Sequence, residues 1–149
     1  MTDSAADRRF LRQAIELSRR CPPSETAFSV GAVIVEAGGA VLATGFSRES
    51  DPHDHAEEAA LAKVAGAARP GATIYSSLEP CLRRLSRSRS CCELIVAAGI
   101  TRVVLAWREP PIFVPGGGAA WLEARGVLVT EVPELAAAAQ AVNAHLLTG

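Results

Sequence analysis

The sequence predicts an α/β domain, a five-stranded mixed sheet with helices on both faces in a three-layer α/β/α arrangement, and three observations carry that expectation. Short β-branched runs alternate along the chain with stretches of helical period. Two of those runs flank a turn at Gly38-Gly39, which marks a hairpin. The 149 residues, 49% apolar and 21% charged, make one domain (1–149) of ordinary globular composition. Such a domain is large enough to bury roughly 70% of its unfolded surface without a disulfide framework.

The elements follow in order. Leu11, Ala14 and Ile15 recur at helical spacing behind Ser4 or Asp3 as a cap, and Pro22-Pro23 ends the run, so a first helix covers about 5–20. Cys21, at its end, has no His or Cys nearby in sequence and reads as a small hydrophobe. Ser29 to Val35 and Val41 to Phe46 form the hairpin. Asp51-Pro52-His53-Asp54 leads into a helix whose first turn carries His55 and Glu57, with Asp54 as N-cap. Ala72 to Ser76, entered from Pro70-Gly71, is the third strand, and Cys91 opens a helix running to about Ala98. Arg102 to Trp107 is the fourth strand, Pro110 to Gly118 a loop rich in Pro and Gly, and Ala119 to Arg125 a short helix. Val127 to Val132 is the fifth strand, and Ala136 to Leu147 is a closing Ala-rich helix with His145 on its surface.

The residues that carry chemistry lie between His55 and Cys92. One imidazole, one carboxylate and two thiols recur there as His55-Ala56-Glu57, Glu79-Pro80-Cys81 and Cys91-Cys92-Glu93. Zinc takes nitrogen and sulfur ligands tetrahedrally, and a catalytic site uses three of them and leaves one position open. His55, Cys81 and Cys91 would supply the three. Residues two apart on a helix diverge by roughly 200°, so Glu57 is badly placed as a fourth ligand and well placed for proton transfer. Cys91 and Cys92 stand about 100° apart on their helix, so one of them faces a metal; at the helix start Cys91 is favoured as the thiolate. His53 competes with His55 as the nitrogen ligand and would need Asp54 or Glu58 in the carboxylate role. The zinc nucleobase deaminases carry His-x-Glu followed by Pro-Cys-x-x-Cys, and this stretch resembles that signature with a longer spacer between its cysteines.

From about Phe10 to about Val132 the chain resembles the cytidine-deaminase superfamily, and within it the pyrimidine deaminase of riboflavin biosynthesis. The likeness runs through Val30-Gly31-Ala32-Val33-Ile34-Val35, His55-Ala56-Glu57, Ser77-Leu78-Glu79-Pro80-Cys81, and the stretch from Cys91 to Ile100. Most of the superfamily sets its two cysteines close together and the riboflavin type sets them far apart; here nine residues intervene. The resemblance implies a cytidine-deaminase-like fold, Zn²⁺ as cofactor, and hydrolytic deamination of an aminopyrimidine base, nucleoside or nucleotide. It also implies a homodimer or higher homo-oligomer. The family's order of Cys, any residue, then an acid favours Cys91, with Glu93 as that acid. Near the substrate, riboflavin-type enzymes share an Asn-Pro pair and a His; those places here hold Ala27-Phe28 and Ser47. The reductase domain that often accompanies them has no counterpart in this chain.

The spacer from Leu82 to Ser90 carries Arg83, Arg84, Arg87 and Arg89. Both its ends are expected ligands, so it lies near the substrate, and guanidinium forks suit a phosphate. Its other reading is a solvated loop. Phe28 could stack on a flat ring, or belong to the core, and the backbone of Ala56 could orient the base.

A formal charge of −1 argues against broad nucleic-acid affinity. No run approaches the length of a membrane span, no signal peptide is evident, and clustered cysteines beside a His suit a reducing compartment, so the expected location is cytoplasmic. Two other functions compete: a polynucleotide deaminase that takes a flipped RNA or single-stranded DNA base, supported by the Arg-rich spacer, and a non-catalytic zinc module that assembles a larger complex.

Overall fold

The computed structural model describes residues 4–64, 71–84, 87–110, 112 and 116–147. The alternative cap Asp3, the turn residue Pro70, Leu85 and Ser86 of the spacer, and residues 111 and 113–115 of the Pro/Gly loop lie outside them.

Helix α1 (Ala5–Ser18) begins where Ser4 Oγ accepts a hydrogen bond from Asp7 N, and it turns Phe10, Leu11, Ala14 and Ile15 toward the sheet. Strands β1 (Gly31–Val35) and β2 (Val41–Phe46) form the expected antiparallel hairpin. β1 starts later than the sequence suggests because Ser29 N donates to Asn143 Oδ1 and Val30 N to Ser47 Oγ, so neither enters the ladder. β3 (Thr73–Ser76) pairs antiparallel with β1 and parallel with β4 (Arg102–Leu105), which pairs parallel with β5 (Leu128–Glu131). The order is β2-β1-β3-β4-β5. β4 is shorter than expected because its continuation holds the next loop: Trp107 O accepts from Glu79 N at 2.8 Å.

Alternating side chains send the strands' apolar groups to both faces. Val33, Val35, Tyr75 and Val104 pack against α1 and α5 (Ala136–Val142). Ala32, Ile34, Ile74 and Val103 pack against α2 (Ala56–Ala62), α3 (Cys91–Ala97) and α4 (Gly118–Glu123). This is why β1 is buried at every position, as a strand covered on both faces should be. Gly45 lets α2 lie flat on β2, since a Cβ there would stand 2.5 Å from both Ala56 O and Ala60 N.

The closing helix, expected to be continuous, is broken. A 3₁₀ turn (Pro133–Leu135) leads into α5, Asn143 interrupts, and α6 (Ala144–Leu147) follows. Asn143 is buried, accepting from Ser29 N and donating to Ser29 O and Ala139 O. Its amide is worth more as a clasp on the segment before β1 than as a helix residue, where Asn is a weak former.

Candidate active site

The loop between β2 and α2 sets the first donor. Asp54 does not cap α2: its Oδ2 accepts from Ser50 N and Asp51 N, both at 3.0 Å, and ties the loop together. His55 occupies the N-cap position itself, extended at φ −92° and ψ 155°, and Glu58 reaches back to His55 N at 3.3 Å. His55 therefore stands outside the first turn, and Glu57 inside it.

His55, Cys81 and Cys91 come together, with their ligand atoms within 4.8 Å of one another. His55 Nδ1 is 3.5 Å from Cys81 Sγ and 3.4 Å from Cys91 Sγ. A tetrahedral zinc with ordinary Zn–S and Zn–N bonds would set these separations near 3.6 Å, so the donor set fits that ion in both type and spacing. Cys92 points elsewhere: its Sγ lies 3.4 Å from Pro80 O and 3.7 Å from Gly118 O. His53 is exposed and outside the donor group, although it lines the neighbouring cavity. Cys21 is half-buried and bonds Val30 O.

The amide at the start of α3 serves the neighbouring sulfur. Cys91 N, the first amide of that helix, donates to Cys81 Sγ at 3.3 Å. A hydrogen bond from the Cys91 thiol, followed by His55, draws Cys81 below the ordinary thiol range, while that same bond and burial push Cys91 up.

Glu57 is 4% exposed. Burial raises its pKa first, and the charge on Cys81 acts in the same direction. Its Oε2 accepts from Ser76 Oγ, at the end of β3, at 3.1 Å. Ser76 also donates to Leu78 O at 2.7 Å, so one hydroxyl hydrogen is shared between two acceptors. A carboxyl whose pKa is raised is suited to moving protons near neutral pH.

A cavity of about 540 Å³ opens beside these groups, with Phe28, Ala56, Glu57, Arg83, Arg84 and Glu109 in its wall. Ala27 and Ser47, where the riboflavin type has other residues, line it too. Phe28 is set by Arg48, whose Nη1 donates to Phe28 O, and it meets Trp107 edge-on at 5.4 Å. The arginines divide. Arg84 has a side chain only 2% exposed; its Nη2 donates to His53 O and Glu58 Oε1, and its Nε and Nη1 are buried without partners among the described residues. Arg83 is exposed at the rim, and Arg87 pairs with Asp51, Asp54 and Glu58 and is not part of the cavity wall.

Sequence reasoning missed two acids. Glu79 is buried and clamps two backbone amides, Glu109 N to Oε1 at 2.9 Å and Ala119 N to Oε2 at 2.7 Å. Glu109 follows β4, and burial pushes its carboxyl up to about 8, with the charges of Cys81, Glu57 and Glu79 adding to it. An acid between a strand and a proline pair is also how an ordinary surface turn begins, so no sequence signal separated the two.

A three-layer α/β/α fold with one nitrogen and two sulfur donors beside a buried carboxylate defines a deaminase-type hydrolase. The chain belongs to the family of the cytidine and deoxycytidylate deaminase zinc-binding region, which matches residues 4–107. It is 40% identical over 126 residues to the diaminohydroxyphosphoribosylamino-pyrimidine deaminase of Schizosaccharomyces pombe, covering 82% of this chain and 31% of that protein. It is 32% identical over 124 residues to the deaminase of the same name from Buchnera aphidicola subsp. Acyrthosiphon pisum, covering 80% of each. Among solved structures it is similar to Acinetobacter baumannii RibD, with TM-score 0.78 and 32% identity over 95% of this chain and 39% of that one. The chain thus spans about a third of the length of several relatives it matches, and most of the length of others. None of the described helices is long and apolar enough to cross a membrane.

Proposed function

We propose that the chain, acting as a single deaminase domain over 1–149, hydrolyses the exocyclic C–N bond of a phosphoribosylated aminopyrimidine. His55, Cys81 and Cys91 hold one zinc ion, and Glu57 moves the protons. The observation that carries this reading is the convergence of His55 Nδ1 and two Sγ atoms beside buried Glu57 in the wall of one cavity. The substrate class is supported by the name shared by the relatives from Schizosaccharomyces pombe and Buchnera.

When bound, zinc supplies a Lewis acid that brings the pKa of a water toward about 7. Deamination replaces the ring's amine by oxygen from water and releases ammonia, so protons must travel from water to the leaving nitrogen. Glu57 takes each from one side and delivers it to the other, and Ser76 holds its Oε2 in place between transfers. Burial makes a proton on Glu57 easy to keep for the second half of the reaction. Phe28 offers an apolar wall for the ring, the Ala56 backbone orients it, and Arg84 offers two donors to a phosphate, with Arg83 at the rim.

The polynucleotide reading loses support, because Arg84 and Arg87 are engaged by Glu58, Asp51 and Asp54 and form no free basic surface. The assembly implied for the family, a homodimer or larger, is part of the proposal and is read by light scattering. The main experiment is ammonia release from a diaminopyrimidine nucleotide, its dephosphorylated form, and deoxycytidylate, together with zinc analysis. The expected result is about one zinc per chain and turnover fastest on the phosphorylated diaminopyrimidine. No zinc after gentle purification, or no ammonia from any of the three, overturns the proposal.

A further inference from the structure

Glu109, half-buried, differs from the buried acids. Asp7, Glu57 and Glu79 each accept at least one hydrogen bond, whereas Glu109 Oε2 is buried with no partner among the described residues. Buried acceptors are nearly always satisfied, and an exception in a binding cavity is the mark of a group waiting for a ligand. Its backbone leaves little freedom. Glu79 Oε1 takes Glu109 N, and the same carboxylate takes Ala119 N, so the end of β4 and the start of α4 are locked to one group. The carboxyl is therefore held in the wall of the cavity that also contains Glu57.

We infer that Glu109 is a specificity-determining residue that accepts a hydrogen bond from a second N–H donor of the pyrimidine, one other than the amine that leaves. The choice of ligand rests on the deaminase reading above. With the leaving amine directed at Glu57, a different edge of the ring must meet Glu109. The ring of deoxycytidylate has no N–H donor besides its reacting amine, so it leaves this oxygen unpaired. A diaminopyrimidine bearing a ribosylamino group has further N–H donors and satisfies it. A site built to receive a donor rejects an analogue that lacks one, because the buried acceptor is then stranded. The same carboxyl thus raises turnover of one substrate class and penalises the other, within a single family fold.

The test compares wild type with Glu109→Ala and Glu109→Gln, zinc content being checked in each. On the diaminopyrimidine nucleotide Glu109→Ala should lose at least about tenfold in kcat/KM. Glu109→Gln, which keeps a carbonyl acceptor in nearly the same shape, should recover part of that loss. On deoxycytidylate neither change should lower kcat/KM. Calorimetry separates this inference from the deaminase reading, using two ligands that cannot react. One is the diaminopyrimidine nucleotide with its leaving amine already replaced by oxygen, and the other is 3-methyluridine 5′-phosphate, whose ring carries no N–H. Glu109→Ala should weaken the first by at least about tenfold and leave the second unchanged. Absence of ammonia release by wild type would count against the deaminase reading alone. Equal effects on both ligands, no effect on either, no binding of either, or failure of both variants to fold would overturn the role of Glu109.

Discussion

Asp7 and Glu57 are carboxylates of nearly equal burial, 3% and 4% exposed, on opposite faces of one sheet, and their acidities move in opposite directions. Asp7 is saturated. Arg102 Nη1 and Nη2 donate to its two oxygens at 2.9 and 2.7 Å, and Tyr75 Oη donates at 2.8 Å, so the hydrogen bond from Arg102 holds it below the usual carboxylate range. Glu57 is pushed up by burial first and then by the Cys81 charge, and the Ser76 hydroxyl that opposes them is shared with Leu78 O. Burial sets what an ionised group costs; its partners decide whether that cost becomes stability or reactivity. On the α1 face both Asp7 oxygens are hydrogen-bonded. Among the described residues, the buried side-chain atoms left without a partner belong to Arg84 and Glu109, in the wall of the cavity that holds Glu57.

The contrast breaks most visibly at the sulfurs. Cys81→Ala and Cys91→Ala should each abolish zinc retention and turnover, while Cys92→Ala should keep both, because its Sγ meets Pro80 O and Gly118 O. Metal analysis after gel filtration reads this; loss of zinc in Cys92→Ala alone would shift the ligand set by one residue. A smaller effect is expected at Arg84. Arg84→Gln should raise KM for a phosphorylated substrate by an amount equivalent to about 1.5–3 kcal/mol, the worth of a charge-assisted hydrogen bond. Its dephosphorylated analogue should change little, since contacts remote from the reacting carbon contribute uniform binding. Arg87→Gln should alter neither, its charge being taken by Asp51, Asp54 and Glu58.

The opposite face gives the smallest effect on activity. Asp7→Asn should lower stability by about 1.5–3 kcal/mol at pH 7 without changing turnover per folded, zinc-loaded molecule. Its folded pKa lies below the ordinary value of 3.8, so the Asp7 contribution is full above that pH and fades as pH falls through the lower folded value. Denaturant melts of wild type and Asp7→Asn should therefore converge below about pH 4. A gap that widens there would contradict the pairing.

The three donors and Glu57 were legible because metal chemistry demands fixed residue types at short spacings, and β2 because Gly38-Gly39 punctuates a clean run. What was not legible depended on partners distant in the chain. Asn143 breaks the last helix for the sake of Ser29, more than a hundred residues earlier. His55 takes the N-cap because Asp54 is spent on Ser50 and Asp51. Four arginines in one spacer look alike in sequence, and only the packing of Arg84 under His53 and Glu58 distinguishes it. Glu109 reads as a turn residue until Glu79 is seen holding its backbone.

Proton transfer by Glu57 is the centre of the account, and one measurement addresses it: ammonia release by Glu57→Gln and wild type at matched zinc content, on the diaminopyrimidine nucleotide. A carboxamide of the same shape can neither take a proton from water nor pass one to the ring. The expected loss is about 10²–10⁴-fold in kcat, toward the upper end for a group used twice, with zinc and fold retained. Activity above a tenth of wild type in the zinc-loaded variant would contradict the assignment of proton transfer to Glu57.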